Sequence, residues 1–334
     1  MHRAILAFCA GASAYSFASG AAVTEDFTLD PQTRGWKTHG DSGLFAWQKN
    51  SGELGVTWDS ARSNSFYYLP LGTILSRDDN FSFEFKVRLA DVAIGTTPDK
   101  PYTFQIAAGF LNLHSATATN FNRASGQNNL NGPENLVEFD YFPDSGFGAT
   151  VALSVVSTNN RFAFSHNHPL ELTPGDWFHV ILSYQATNQS LETTMTKNGQ
   201  PFGLPPENQF PALSLAGLPD FRVDSFAISS YSDAGQNPPE FSGSVLAHGV
   251  VDDVAFTVPA LPGSDLRMLT GSSNGTVQFT GRTGWVYQSE RTLDWSNWSI
   301  ASPVALGSNN TMTLGDTNSV VPAAAFYRLR ADRP

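Results

Sequence analysis

Asn135-Leu136-Val137-Glu138-Phe139-Asp140-Tyr141-Phe142-Pro143-Asp144 is the stretch of this 334-residue chain whose residue types and spacing carry the most chemistry. In an extended segment successive side chains alternate faces, so Glu138, Asp140 and Phe142 share one face while Val137, Phe139 and Tyr141 share the other. Two carboxylates on one strand face repel each other. Such a pair is kept for a cation, a general acid or a sugar hydroxyl, or else belongs to a solvated face. For a sugar, Asn128, Asn129 and Asn135 just upstream supply amides, and Tyr102 and Tyr141 supply flat amphipathic rings for stacking. For catalysis, Glu138 and Asp140 are the two candidates. For a metal, Asp140, the Phe142 carbonyl and Asp144 offer oxygens on a bendable segment, the donor type calcium takes.

Other combinations are weaker. Glu25 and Asp26 near the start and Asp252 and Asp253 further on offer a second cation set if the first and last strands of a sandwich lie together. Adjacent acids alternate faces, however, and an acidic edge that discourages aggregation accounts for them equally well. His166-Asn167-His168 places two imidazoles on one face if extended, but no third ligand is identifiable and Pro169 follows, which suits a loop. Gly40-Asp41-Ser42-Gly43 has the look of a protease nucleophile motif without an upstream histidine at the required place, and reads as a turn. Trp47, Trp58, Tyr67 and Tyr68 are further stacking surfaces, or core.

The elements that must position these residues have period two. Phe81–Leu89 alternates five apolar and four polar residues, the pattern of a half-buried antiparallel strand. Similar runs occur at Tyr102–Ala107, Leu136–Tyr141, Thr150–Val156, Arg161–Ser165, Phe178–Tyr184, Leu191–Lys197, Asp220–Ser229 and Val250–Phe256, separated by turn clusters such as Lys197-Asn198-Gly199-Gln200. Helical spacing is missing. The expected class is all-β, an antiparallel jelly-roll sandwich followed by a small β-sandwich module. One long polar stretch, Ser115–Asn135, reads as a functional loop or a floppy insertion.

Residues 1–22 have a short basic start, an apolar run and small residues before a cleavage point, which is a secretory signal peptide. Too little sequence precedes Cys9, the only cysteine, for a lipoprotein signal. The mature chain then has no thiol for catalysis or zinc binding. Residues 23–258 form the expected sandwich domain, 259–264 a Pro/Gly linker and 265–334 the small module. Lys and Arg number 19 against 30 Asp and Glu, so the net charge is 19 − 30 = −11 with no basic cluster, which excludes a nucleic-acid footprint. No second apolar span follows the signal, so no membrane span is expected.

Several segments resemble exported concanavalin A-like jelly-roll domains over roughly residues 23–258. These are Glu25-Asp26-Phe27 with Gly35-Trp36, Trp177-Phe178-His179-Val180-Ile181-Leu182-Ser183-Tyr184 followed by Lys197-Asn198-Gly199, and Val251-Asp252-Asp253-Val254-Ala255-Phe256. The tryptophan-to-tyrosine run followed by Asn-Gly is similar to laminin-G-like members, where it forms neighbouring strands. Laminarinase-type glycosidases of this superfamily carry a third carboxylate two residues after the first pair, where this chain has Phe142. Asp144 lies about 20 Å along an extended strand from Glu138, too far for a retaining pair about 5 Å apart. Legume-type lectins instead carry Val-Glu-x-Asp, a backbone carbonyl and a further Asn or Asp. Val137, Glu138, Asp140, Phe142 and Asp144 are similar to that series, but the next Asp and His are Ala149 and Ser154. The resemblance thus implies at most a single structural calcium, and no cofactor is required. Gly275–Ala331, with Asp294-Trp295-Ser296-Asn297-Trp298 and Phe326-Tyr327-Arg328-Leu329, resembles a C-terminal module of exported verrucomicrobial and planctomycete-type proteins. In it Leu293, Trp295 and Trp298 are expected to anchor a small core.

The leading expectation is a non-catalytic, lectin-like protein, secreted or at the extracellular surface (or periplasmic), whose partner is an extracellular polysaccharide or glycan. Its C-terminal module would meet cell-surface components. The alternatives are a glycoside hydrolase or polysaccharide lyase with an atypical acid, and a structural or adhesive surface protein.

Overall fold

A computed structural model describes residues 21–125, 132–144, 148–236, 242–269, 275–318 and 325–334. The chain divides into two compact units, one of them Ala22–Pro259, the other containing Ala260–Pro334. In the first unit the strands begin with β1 (Ala21–Glu25), β2 (Lys37–His39), β3 (Phe45–Gln48), β4 (Glu53–Asp59) and β5 (Ser65–Leu75). They continue with β6 (Phe81–Ile94), β7 (Ile106–Leu111), β8 (Leu136–Phe142), β9 (Thr150–Val156) and β10 (Phe162–His168). The last are β11 (Phe178–Gln185), β12 (Ser190–Lys197), β13 (Gln200–Phe202), β14 (Leu213–Ser214), β15 (Val223–Ser230) and β16 (Val245–Val258).

Among the described residues these strands form two sheets. One runs β13-β12-β11-β6-β16-β4-β3, with β1 beside β16 and β14 beside β12; the other runs β10-β9-β8-β7-β15-β5-β2. The registered pairings are antiparallel, so the all-β sandwich anticipated from period two is the architecture the chain adopts. In β6 the alternation works as expected: Phe81, Phe83, Phe85, Val87 and Leu89 are buried. Their rings meet those of the opposite sheet edge-on, Phe83 to Phe110 at 5.0 Å and Phe85 to Phe139 at 5.7 Å. Aromatic pairs in this arrangement add to the gain from area buried.

Some boundaries differ from expectation. The Tyr102–Ala107 strand begins only at Ile106; Tyr102 sits in a connecting segment that makes isolated bridges to Gly243. His166 and His168 lie within β10 rather than in a loop, because β10 continues along β9 with a register shift between Ser165 and His168. Strands β2 to β5 escaped the sequence reading. Trp58 and Tyr67, weighed as sugar platforms, are core, and half-buried Trp47 donates its Nε1–H to the Phe27 carbonyl at 2.7 Å.

The second unit carries β17 (Arg267–Met268), β18 (Val277–Thr280), β19 (Val286–Thr292), β20 (Ser299–Ile300), β21 (Ala305–Leu306), β22 (Thr311–Leu314) and β23 (Phe326–Asp332). Two small sheets form, β17-β18-β22 and β20-β19-β21 with β23 along β19. Its buried residues include Phe279, Trp285, Tyr287 and Leu314, not the expected anchor set. Leu293 is 62% exposed, because Asp294 folds the segment after it into a turn by accepting from the Ser296 and Asn297 amides. Trp295 packs on Phe326, ring centroids 4.0 Å apart.

Gly109 of β7 is paired with Glu138 of β8, and a Cβ there would stand 2.2 Å from the Val137 carbonyl oxygen and 2.8 Å from the Glu138 Cα. Backbone rather than a side-chain tip would have to yield. Gly109→Ala is therefore expected to destabilise the sandwich by about 1–3 kcal/mol or more, read as a fall in the urea midpoint with an unchanged slope.

Candidate functional site

β8 presents Glu138 and Asp140 on the face opposite Phe139, hence away from the interior that Phe139 shares with Phe85. This is the face the alternation requires. The pair does not meet solvent, however: Glu138 is 1% exposed and Asp140 0%. Neither a solvated face nor an open ligand site is formed by the pair, and the reason is Arg123. Its Nε donates to Glu138 Oε2 at 3.3 Å and its Nη2 to Asp140 Oδ2 at 3.2 Å. Tyr231 donates its hydroxyl to Glu138 Oε1, and Ser154 donates its hydroxyl to Asp140 Oδ2. The guanidinium also lies 5.6 Å from the Phe162 ring centroid and 5.8 Å from that of Tyr231. One cation, two carboxyls and two hydroxyls thus close on one another under side chains.

Burial sets the ionisation. It pushes the Glu138 carboxyl up to about 7, against the pull of the Arg123 guanidinium and with help from the neighbouring Asp140 charge. It raises Asp140 too, with Arg123 and the Ser154 hydrogen bond opposing. Burial works against the charge on Arg123, but the two carboxyls outweigh it and keep the guanidinium protonated. The Tyr231 hydroxyl is held far above its ordinary range by burial and by Glu138, so it remains a donor.

The remaining candidates scatter. Asn135 is buried in a left-handed conformation (φ 57°) and its Oδ1 accepts from the Arg222 amide, a turn-forming role. Tyr141 faces the interior and its hydroxyl accepts from the Leu172 amide at 3.2 Å, with burial raising it to about 12. Tyr102 is half-buried in its connecting segment. Asn128 and Asn129 lie outside the described residues. So do the side chains of His166 and His168.

Neither acid set suits calcium. Between Glu138 and Asp140 a guanidinium already supplies the positive charge, and Asp144 is exposed while its carbonyl accepts from the Thr103 amide. At the other set, β1 does lie beside β16, but Arg34 takes Glu25 at 3.2 Å and Asp26 at 3.0 Å, and Lys86 takes Asp253 at 2.6 Å. Among the described residues no group of three or more His, Cys, Asp or Glu side chains is placed to hold a metal ion.

Above the buried cluster the described part of the polar stretch, residues 115–125, forms short turns. Asn112 caps a single helical turn, Leu113–Ala116, by accepting from the Ser115 amide, and a 3-10 turn at Arg123–Ser125 carries the guanidinium down onto β8. Between these two turns and the segments around Asn64 and Ser232 lies an open groove of about 520 Å³. Its walls include His39, Asn64, Thr117, Thr119, Asn120 and Ser232, with no carboxylate, lysine or arginine among the lining residues. Asn64 ties both walls together, donating to the Phe121 carbonyl at 3.3 Å and accepting from the Ser232 amide at 2.8 Å. A row of rings joins the lining residues His39 and Phe121: His39 stacks on Phe66, Phe66 meets Tyr231 edge-on and Tyr231 tilts against Phe121, at centroid spacings of 6.0, 5.7 and 6.1 Å. Tyr231 is the link to Glu138.

Arg123 and Tyr231 escaped the sequence reading. One signal was available: Arg123 is the one basic residue in Ser115–Asn135, the stretch that leads into β8. Ser154, standing where a lectin-type site would have His, is the Asp140 partner. Nothing local marks Tyr231.

No family model matches this chain, and no curated protein does. Among solved structures, a peanut lectin bound to a nine-residue peptide is similar at 13% identity over 71% of this chain and 99% of that one, TM-score 0.42. Lectin II from Ulex europaeus is similar at 13% identity over 72% of this chain and 100% of that one, TM-score 0.42. The binding domain of botulinum neurotoxin serotype G covers 92% of this chain and 64% of its own at 10% identity, TM-score 0.39. These are likenesses of fold, and the ligands of those proteins remain theirs.

Arg123→Ala leaves two buried carboxyls without their cation and is expected to cost about 3–5 kcal/mol in urea unfolding. Arg123→Met combined with Glu138→Gln and Asp140→Asn is expected to recover most of that loss. Glu138 also makes a pH signature. Its folded value of about 7 lies above the ordinary 4.5, so its contribution to stability is present below 4.5 and is lost as pH rises through about 7. Unfolding free energy is expected to fall by up to about 3 kcal/mol from about pH 5 to about pH 8, and Glu138→Gln to flatten most of that slope. Asp252, raised to about 6 mainly by burial, leaves a residual slope of the same sign.

Proposed function

We propose that this protein is an exported, non-catalytic carbohydrate-binding protein that recognises an extracellular glycan in the groove between Asn64, Asn120 and Ser232. The observation that carries this reading is the chemistry of the groove walls. Amides and hydroxyls on fixed backbone, one imidazole and no formal carboxylate or ammonium charge suit an uncharged polyhydroxyl ligand, whose hydroxyls both donate and accept. The volume falls within the range of small-ligand pockets, about 300–1,000 Å³. Preorganisation supports it too, because Asn64 and the Tyr231–Glu138 bond hold both walls before any ligand arrives.

The hydrolase alternative loses its candidates. An acid and a nucleophile must reach the scissile bond, and Glu138 and Asp140 are enclosed by Arg123, Tyr231 and Ser154. The second unit serves, in this reading, as the part that meets a cell surface. Leu293, Ile300, Val304 and Leu306 stand exposed on it, apolar side chains of the kind a partner covers.

Affinity electrophoresis through gels containing soluble glucans, galactans, mannans and chitin oligomers tests the groove. Retardation by at least one of these is expected, and Asn120→Ala or Thr119→Ala should weaken it about tenfold, equal to about 1.4 kcal/mol. Both residues are exposed, so stability should change by no more than about 0.5 kcal/mol. Migration unaffected by every polysaccharide would overturn the reading.

A further inference from the structure

The Trp177–Tyr184 run and the Asn198-Gly199 turn have a consequence beyond the sandwich they help to build. Phe178, Val180, Leu182 and Tyr184 of β11 are buried, so Trp177 and His179 fall on the outer side of the nine-stranded sheet. There the register lines up four residues across four neighbouring strands. Asp252 of β16 pairs with Lys86 of β6, Lys86 with His179 of β11, and His179 with Thr196 of β12. These four, with Trp177, Asn198 and Gly199, line a cavity of about 470 Å³.

The tryptophan is held rather than left loose. Its backbone N–H donates to Asn198 Oδ1 at 3.0 Å, and its backbone carbonyl accepts from the Asn198 amide at 2.8 Å. Asn198 in turn donates to Asp176 at 2.7 Å. The Arg88 guanidinium lies 4.6 Å from the centre of the indole and 3.4 Å from Glu53. With its backbone tied to Asn198 and Arg88 packed against one face of its ring, the half-buried indole offers its other face as a stacking surface.

The polar row is fixed as well. Glu84 holds His179 at 2.9 Å, and Asp253 holds Lys86 at 2.6 Å while its own amide donates to Asp252 Oδ1 at 2.7 Å. Lys86 is thus already answered by a carboxylate, which argues against an acidic ligand. What remains is a ring platform beside donors and acceptors at fixed spacing, the equipment for a neutral pyranose whose apolar face stacks and whose hydroxyls bridge.

We propose that the outer face of the nine-stranded sheet carries a second saccharide site, in which a neutral sugar unit stacks on Trp177 and hydrogen-bonds to His179, Lys86 and Asp252. The ligand class rests on the carbohydrate-binding reading of the groove. The two sites belong to different sheets of one sandwich, so a monomer engages a glycan chain at two places and cross-links soluble polymer.

Amide and indole proton–nitrogen spectra of the full chain test this, with the methyl glycosides and tetraoses of glucose, galactose, mannose and N-acetylglucosamine as probes. Trp177→Phe assigns the Trp177 indole resonance. At least one probe is expected to shift that resonance saturably, with His179→Gln weakening the response about tenfold, or about 1.4 kcal/mol. In Trp177→Ala, checked for an otherwise unchanged amide spectrum, shifts at Thr119 and Asn120 should persist while precipitation of the matching polysaccharide is lost. Shifts at Thr119 and Asn120 with a silent Trp177 would overturn this proposal and leave the groove standing. A shift at Trp177 alone would keep the second site and remove the groove, and silence at both would remove both.

Discussion

A single guanidinium between two carboxyls, all removed from water, is the interaction that fixes the Arg123 turn onto the seven-stranded sheet. Taking three charges out of solvent is costly, and a buried ion network adds little net stability over well-packed apolar residues. Breaking it is different, because each partner left behind carries an uncompensated charge. Arg123 is therefore committed to Glu138 and Asp140 once the sandwich has formed. Its consequence is positional: the segment that carries it cannot leave the sheet without exposing the carboxyls and burying nothing in exchange.

That constraint reaches the surface through aromatic contacts. Tyr231 shares Glu138 with Arg123, packs against Phe121 on one side and Phe66 on the other, and Phe66 stacks with His39. The two ends of this row, His39 and Phe121, line the groove. The charged groups Arg123, Glu138 and Asp140 are buried, and none of them lines the groove. The acids that most invited a catalytic or metal-binding reading thus act through the loops they hold.

The opposite sheet solves a different problem. Its outer face is an open antiparallel surface that carries a cross-strand row of paired polar side chains. Lys86 with Asp253 and His179 with Glu84 keep that face wet and discourage association edge to edge or face to face. Trp177, its backbone tied to Asn198 and its ring packed on Arg88, sets an indole beside this polar row. In the second unit the core settles on Trp285, Tyr287 and Phe279, while the Trp295–Trp298 motif stays near the surface with Phe326 and Arg328.

Period two in Phe81–Leu89, the turn clusters and the missing helical spacing were enough to give the chain's class, because side-chain alternation is a local property of an extended backbone. The same rule put Glu138 and Asp140 on one face and their apolar neighbours on the other, as the structure has it. What covers that face was beyond reach. Arg123 lies 15 residues before Glu138, and Tyr231 lies 93 after it. Tyr231 arrives only because β15 pairs with β7, which pairs with β8. Alternation reports the direction a side chain takes from its strand. Whether it meets water or a guanidinium is decided by the order of strands in the sheet and by the loop folded across it, and both are long-range contacts that no local spacing encodes.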